Sequence, residues 1–293
     1  MDGPDVAADP LLSKSLALPA RHRRRVGLGL ALALGWISVV AALAIAAGWL
    51  PIDSPTYMDF LAKRAPPGAE HWLGTDSLGR DELSRLIWGA RVSLTVGLCA
   101  PMIGVAIGGA LGLLAGYVRG RFEALVIGAV DVLLAFPPLV LALASTAYLG
   151  QSVTNLILVL GVLGIPAFTR VARATTLSLT EREFVVAART LGATHLRILT
   201  RELLPNVALP LAAFFLLGVA ITIVVEGALS FLGLGVPPPL ASWGVMVGEG
   251  RDSLDVAPRL AFLPAGAMFL TVLAFNLAGD SLRALTDRRP GAL

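Results

Sequence analysis

Few residues of this sequence are of types that could catalyse a reaction or bind a metal. Asp131 and Glu226 lie inside long apolar runs, where an ionisable group is costly and is by default a functional candidate. All histidines lie outside those runs, at His22, His71 and His195. None is followed by Glu-x-x-His, which excludes a helical zinc site, and an intramembrane aspartyl protease would need Asp131 to pair with Asp280. Neither Asp131 nor Glu226 indicates catalysis on its own.

The two acids each have a structural interpretation beside the functional one. Glu226 is either a pathway or gate group near the external side, or a hydrogen-bonded structural acid beside the Leu-Ser-Phe-Leu-Gly-Leu-Gly turn at 229–235. Asp131 precedes the Phe-Pro-Pro stretch at 136–138, where prolines break helical hydrogen bonding and recruit nearby polar groups. We favour the structural interpretation for both acids.

The composition excludes a soluble globular protein. Hydrophobic residues make up 56% of the 293 residues, charged residues 15% against about 25% in soluble domains, and the mean hydropathy is +0.79. The net charge of +3 is small and dispersed, so no nucleic-acid partner is expected. Lys14 and Lys63 do not fit the Gly-Lys-Ser/Thr pattern of an ATP-binding loop, and the single Cys99 excludes an intrachain disulfide. These features predict a polytopic membrane protein.

Six apolar runs are long enough to cross a membrane, since about 20 apolar residues span a hydrocarbon core of about 30 Å. They cover 26–50, 92–118, 122–149, 152–176, 207–234 and 257–282. The first follows a basic cluster at 21–25, but it exceeds the apolar stretch of about 7 to 15 residues in a signal peptide, which favours a retained anchor. The predicted fold class is all-α, with six transmembrane helices.

The distribution of basic residues orients these helices. Most of the 23 lysines and arginines fall on the side that holds both termini, and basic loops stay cytoplasmic. The predicted organisation is a cytoplasmic tail (1–25), a first transmembrane helix (26–50), an external segment with an interfacial helix (51–91), a five-helix core (92–282) and a cytoplasmic tail (283–293). The core contains a cytoplasmic loop at 177–205 and an external loop at 235–256.

The cytoplasmic loop has an amphipathic pattern. Spacings of 4, 3, 4 and 4 predict one helix that carries on one face Phe184, Ala188, Leu191, His195 and Leu199. Small residues cluster in it, at Ala187, Ala188, Gly192 and Ala193. Such a surface lets another protein approach closely, whereas the surrounding arginines equally suit a helix that lies on lipid headgroups. The residues alone leave both interpretations open.

This loop resembles the cytoplasmic coupling motif of ABC-importer permeases at Ala187, Ala188, Gly192, Leu204 and Pro205. Three further segments resemble stretches of the dipeptide, oligopeptide and nickel permeases, above all their second, C-type subunit: 71–94, 226–250 and 275–287. One departure concerns the acid that usually stands directly before the alanine pair. This chain has Val186 there and Glu183 three residues earlier, so the salt bridge of that acid is not expected.

The resemblance implies a type I ABC-importer permease fold that forms half of a pathway for di- or oligopeptides. The implied partners are a homologous second permease, two ABC ATPases, an extracytoplasmic substrate-binding protein and the lipid bilayer. The chain itself is expected to be non-catalytic, to hold no cofactor or metal, and to lie in the bacterial cytoplasmic (inner) membrane, with ATP and Mg bound by the ATPases. A nickel or glutathione importer permease is the alternative, and a passive channel or membrane scaffold is a more distant one.

The resemblance also implies roles for particular residues. ATPase coupling is implied for Glu183, Ala187, Ala188, Gly192, Ala193, Leu204 and Pro205. A second motif contains residue types that suit a turn and a helix cap, at Gly74, Asp76, Gly79, Arg80 and Asp81. Contact with the binding protein, or a seal at the external mouth, is the hypothesis for this external motif. Glu226 is a further gate candidate, and Asp131 is an intramembrane polar group.

Overall fold

The computed structural model describes residues 21–286, with side chains described for 27–284. Its helices are α1 (Arg21–Ala46), α2 (Glu82–Val118), α3 (Gly120–Leu134), α4 (Pro138–Leu149), α5 (Val153–Thr180), α6 (Glu183–Thr190), α7 (His195–Phe231), α8 (Trp243–Gly250) and α9 (Arg259–Thr286). The all-α prediction is confirmed. Of the predicted tails, 1–20 and 287–293 lie outside the described residues, and 21–25 belong to the start of α1.

Five helices in the described part of the chain are long and apolar enough to cross a membrane: α1, α2, α5, α7 and α9. A sixth crossing requires α3 and α4 together, which are bent by 78° at the break between them. Pro137 has no N–H to continue α3, and it disfavours helical backbone at Phe136. The third predicted run, 122–149, is therefore present as a broken pair of helices.

Two of these helices begin before their apolar runs. α2 starts at Glu82 rather than at residue 92, because the Asp81 carboxylate caps it and accepts a hydrogen bond from the Ser84 N–H at 2.7 Å. α7 starts at His195 rather than at residue 207, where the Thr194 hydroxyl accepts one from the Arg197 N–H at 3.3 Å. Hydropathy detects the lipid-buried part of a helix, whereas the cap defines its polar end.

The interfacial helix predicted within 51–91 is absent. Residues 47–81 form turns, and the mixed-charge stretch that suggested a helix is the beginning of α2. Arg259, at the start of α9, holds this segment by donating hydrogen bonds to the carbonyl oxygens of Arg64, Ala65 and Leu73. The external loop predicted at 235–256 contains the short helix α8, which Ser242 caps.

Glycines bring α2 and α5 close together. A Cβ atom on Gly112 would lie 2.3 Å from the Thr169 carbonyl oxygen, and one on Gly108 would lie 2.5 Å from that of Ile165. Side chains at these positions would force the two backbones apart. The core of the fold is formed by α2, α5, α7 and α9, and α1 packs on the outside against α2 and α9.

Two of the core helices contain a π-turn, at Gly104–Gly109 in α2 and at Ile198–Leu203 in α7. The second lies directly before Leu204 and Pro205, and Pro205 has no N–H to offer an α-helical bond. π-turns insert a residue into a helix and occur frequently at functional sites. The π-turn in α7 allows this helix, which follows the cytoplasmic loop, to continue into the membrane past Pro205.

Candidate functional site

The external motif forms a tight turn that ends in the cap of α2. The Asp76 carboxylate accepts hydrogen bonds from the N–H groups of Leu78 (2.8 Å) and Arg80 (3.0 Å). Gly79 has a φ of +80°, and a Cβ atom there would lie 1.7 Å from the Asp59 carbonyl oxygen. Gly74 also has a positive φ, of +79°. Both glycines occupy backbone conformations and spaces that other residues cannot share.

The charged side chains of this turn belong to a buried network, which also includes one residue of α2 and one of α8. We call it the external ion-pair cluster; its members are Asp76, Arg80, Arg85 and Glu249. The Arg80 guanidinium contacts Asp76 at 2.6 Å and Glu249 at 2.8 Å. That of Arg85 contacts Glu249 at 2.6 Å and Asp76 at 3.4 Å. The side chains of Asp76, Arg80 and Arg85 are 8% exposed or less, and that of Glu249 is 37% exposed. The cluster therefore fastens the start of α2 to α8.

The burial of this cluster corrects one part of the hypothesis for the external motif. The charged groups of Asp76 and Arg80 face other charges of the same chain, so they do not form a surface for the binding protein. A role in sealing the external mouth stays a prediction. Sequence reasoning missed Arg85 and Glu249, although both lie within the segments that carry the family resemblance, 71–94 and 226–250.

Glu226 lies in α7 and is fully buried. Its carboxylate accepts hydrogen bonds from the hydroxyls of Ser230 (2.7 Å) and Ser93 (3.1 Å), and the Ser93 oxygen accepts one from the Trp243 N–H at 3.2 Å. The chain of bonds joins α7, α2 and the start of α8. This geometry favours the structural interpretation, because the carboxylate meets neighbouring helices and no open space within the chain.

In the described part of the chain, the Asp131 carboxylate makes no hydrogen bond to the backbone around the Phe-Pro-Pro stretch. The carboxylate instead lies 2.6 Å from Nη2 of Arg170, on α5, and the two side chains are 51% and 55% exposed. The expectation that the proline break recruits Asp131 is therefore corrected: a charged partner satisfies it. Arg170 was missed because it stands near the end of the apolar run 152–176, where it was counted with the charges of the cytoplasmic loop.

One further ion pair joins α3 to α5, and another joins the residues directly before α3 and directly after α5. The Glu123 carboxylate accepts a hydrogen bond from Nε of Arg173 at 2.6 Å and also contacts its Nη2, and Arg119 contacts Glu181 at 3.1 Å. Exposure rises from Glu123, at 19%, to Glu181, at 74%. The Glu123–Arg173 pair is thus a partly buried link between the helices, and the Arg119–Glu181 pair is solvated.

The cytoplasmic loop folds as two helices rather than the one predicted. α6 ends at Thr190, and Gly192 has a φ of +80°, which reverses the chain before the Thr194 cap starts α7. Val185 is fully buried against the base of α5 and α7, so it anchors α6 from below. Leu204 and Pro205 lie inside α7.

The outward surface of α6 is apolar and small. Val186 is 51% exposed and Leu191 is 88% exposed, and the intervening Ala187 is also exposed. Ala188 is half-buried, and a Cβ atom on Gly192 would meet no atom within 4 Å. Glu183 is exposed in the first turn of α6, and Ala193 is half-buried beyond its end. An apolar surface with short side chains on the solvated side of a membrane protein suits contact with another protein.

The larger, C-terminal part of the chain matches a known family of transport proteins. The sequence profile of the family described as "Binding-protein-dependent transport system inner membrane component" matches residues 108–291. The chain belongs to this family. It is therefore a non-catalytic permease component of an ABC importer, and it serves together with ATPase subunits and a substrate-binding protein.

Full-length relatives of this permease are known. The glutathione transport system permease protein GsiD of Pectobacterium atrosepticum is 40% identical over 278 residues, which cover 94% of this chain and 92% of that protein. GsiD of Escherichia coli O6:K15:H31 is 43% identical over 268 residues, which cover 91% and 88%. These relatives confirm the dipeptide, oligopeptide and nickel permease family and a multi-pass protein of the inner membrane.

Solved structures confirm the fold of this permease. A chain of the MetNI methionine ABC transporter in an inward-facing conformation superposes with a TM-score of 0.56 at 17% sequence identity. The superposition covers 70% of this chain and 97% of the solved chain. The architecture is that of a type I ABC importer permease.

Proposed function

We propose that this permease forms half of the pathway of an importer for small peptides of the glutathione type. The observation that carries the proposal is its identity of 40% to 43% with glutathione permeases over nine tenths of the chain. Among the substrates considered for the family, this identity favours glutathione over di- or oligopeptides in general.

The proposed assembly has a homologous second permease as the other half of the pathway and two ATPases that bind ATP and Mg. A binding protein delivers the peptide from outside, and both termini of this chain are cytoplasmic. The orientation is supported by the basic residues on the side of α6, which include Arg182, Arg189, Arg197 and Arg201. Glu226 and the external motif then lie on the outer side.

Coupling to the ATPases is proposed at the outward surface of α6. Ala187 and Gly192 leave room for a partner, and Val186 and Leu191 supply apolar contact. With Val186 in the place of the usual acid, the contact depends on shape and burial rather than on a salt bridge. Leu204 and Pro205 begin the part of α7 that carries the movement inward, directly after its π-turn.

The test is co-purification of the tagged permease from native membranes, followed by ATP hydrolysis and uptake assays in proteoliposomes with the binding protein. Glutathione, an α-linked dipeptide and Ni²⁺ are compared as substrates, and glutathione should give the largest stimulation. Ala187→Glu places a charge on the docking surface and should abolish stimulated hydrolysis. Ser178→Glu, which adds the same charge at the exposed cytoplasmic end of α5, is the matched control.

Three results would count against the proposal. Stimulation by Ni²⁺ but not by glutathione would assign the permease to metal import. Unchanged transport in Ala187→Glu would remove the coupling role of α6, and recovery of the chain without ATPases would favour a passive channel or scaffold.

A further inference from the structure

The pair formed by Asp131 and Arg170 lies at membrane depth. Arg170 is ten residues before the end of α5, and Asp131 is eleven residues after the start of α3. α5 is longer than a hydrocarbon core of about 30 Å, so depth is counted from the ends of the apolar runs 122–149 and 152–176. At 1.5 Å per residue, Asp131 lies about 14 Å and Arg170 about 9 Å inside these runs.

Acyl chains are unsuitable surroundings for this pair. Both side chains are about half exposed in the single chain, and charged groups at this depth face a water-filled cavity or another protein segment. The residues around the pair are small, and they leave space above it. Ala167 and Ala174 are exposed three residues before and four residues after Arg170, and a Cβ atom on Gly128, before Asp131, would meet no atom within 4 Å. The rest of the described chain therefore leaves uncovered the face of α3 and α5 that carries the pair.

Fastening α3 to α5 does not require this pair. The neighbouring Glu123–Arg173 pair joins the same two helices with two guanidinium nitrogens on one carboxylate oxygen, and its side chains are 19% and 35% exposed. Asp131 and Arg170 meet through one nitrogen and one oxygen. Arg170 thus keeps most of its five N–H donors, and Asp131 keeps one carboxylate oxygen, without a partner in the described part of the chain.

We propose that Asp131 and Arg170 form a contact site in the pathway for the charged ends of a zwitterionic peptide. Arg170 binds a carboxylate of the peptide and Asp131 binds its ammonium group, an inference that rests on the proposed import of glutathione-type peptides. A peptide with both charges replaces one ion pair by two, so that neither Asp131 nor Arg170 is left unpaired. After release the pair closes again, which keeps the contact weak enough for the peptide to move on.

The experiment uses the complete complex in proteoliposomes, with the binding protein saturated with glutathione. The variants are Arg170→Gln, Arg170→Lys and Asp131→Asn, and the matched control is Glu123→Gln on the neighbouring pair. The readouts are the maximal uptake rate, the rate of ATP hydrolysis and their ratio, the number of peptides imported per ATP hydrolysed. Loss of one charge-assisted contact should lower the uptake rate of Arg170→Gln and Asp131→Asn about tenfold.

ATP hydrolysis should stay near the wild-type rate in those variants, so that the number of peptides imported per ATP also falls about tenfold. Arg170→Lys retains the charge and should recover part of the uptake, and Glu123→Gln should keep the wild-type ratio. The inference is overturned if the ratio is unchanged in Arg170→Gln and Asp131→Asn. It is also overturned if uptake and hydrolysis fall together with the yield of assembled complex, since that result assigns the pair to packing against the second permease. Absence of glutathione uptake by the wild-type complex would instead remove the proposed function.

Discussion

The external ion-pair cluster and the Asp131–Arg170 pair use the same chemistry in opposite settings. Each contains an arginine–carboxylate contact of 2.6 Å. In the external cluster, each arginine reaches two acids and three of the four side chains are almost completely buried. At membrane depth, one arginine meets one acid and both are half exposed. Contact distance therefore does not distinguish the two settings, whereas burial and the number of partners do.

The energetics of the two settings also differ. A buried ion pair adds little net stability, but removal of one partner leaves a charge that neither water nor another group satisfies. A half-exposed pair remains accessible to other partners, so removal of one member costs less. The comparison predicts that substitutions in the external cluster act on folding and those at Asp131 and Arg170 act on transport.

The largest effect is expected for Arg85→Met. Arg85 is 1% exposed, and its loss leaves Asp76 and Glu249 to share Arg80 alone. We expect a loss of about 3 kcal/mol in the free energy of unfolding in detergent, with a lower yield of folded permease. Arg91→Met removes an exposed arginine from the same helix and is the control. Equal stability of the two variants would contradict the role of the external ion-pair cluster in folding.

An intermediate effect is expected for Glu226→Leu. This substitution deprives the hydroxyls of Ser93 and Ser230 of their acceptor, at a cost of about 1–3 kcal/mol in the free energy of unfolding. Glu226→Gln keeps an acceptor oxygen and should lose less. Thermal unfolding of the purified complex measures both. If Glu226→Gln were stable but inactive in uptake, the result would favour a role for Glu226 in transport, as a gate residue, over the structural interpretation.

The smallest effect on stability is expected for Asp131→Asn, below about 1 kcal/mol, because the pair is half exposed and has a neighbouring fastening. The same unfolding measurement applies, next to the uptake assay. A loss as large as that of Arg85→Met would show that exposure in the single chain does not predict the role of an ion pair here.

The sequence predicts the number of crossings well, because hydropathy depends on composition over about 20 residues. It predicts the polar helix ends poorly: α2 and α7 extend to Glu82 and His195 through caps at Asp81 and Thr194. The break at Gly192 has a local signal, a glycine followed by a Thr cap, which the apolar periodicity of the loop obscured.

Long-range partners were beyond sequence reasoning. Asp76 and Arg80 stand four residues apart and were recognised together, but Glu249 reaches Arg80 across 169 positions. Arg170 likewise meets Asp131 across 39 positions, and only the packing of α3 on α5 brings them together. The sequence shows which charged residues lie in apolar surroundings, and the fold determines which group pairs with each of them.

The link between α5 and α6 has a mechanical consequence. Only Glu181 and Arg182 separate the two helices, so a tilt imposed on α6 passes into α5 with little slack. With Arg170 about 15 Å from that link, a tilt of about 10° relative to α3 would carry its guanidinium about 3 Å. That displacement exceeds the tolerance of a hydrogen bond. A movement of the ATPases against α6 would then open the Asp131–Arg170 contact through α5 as a rigid connection.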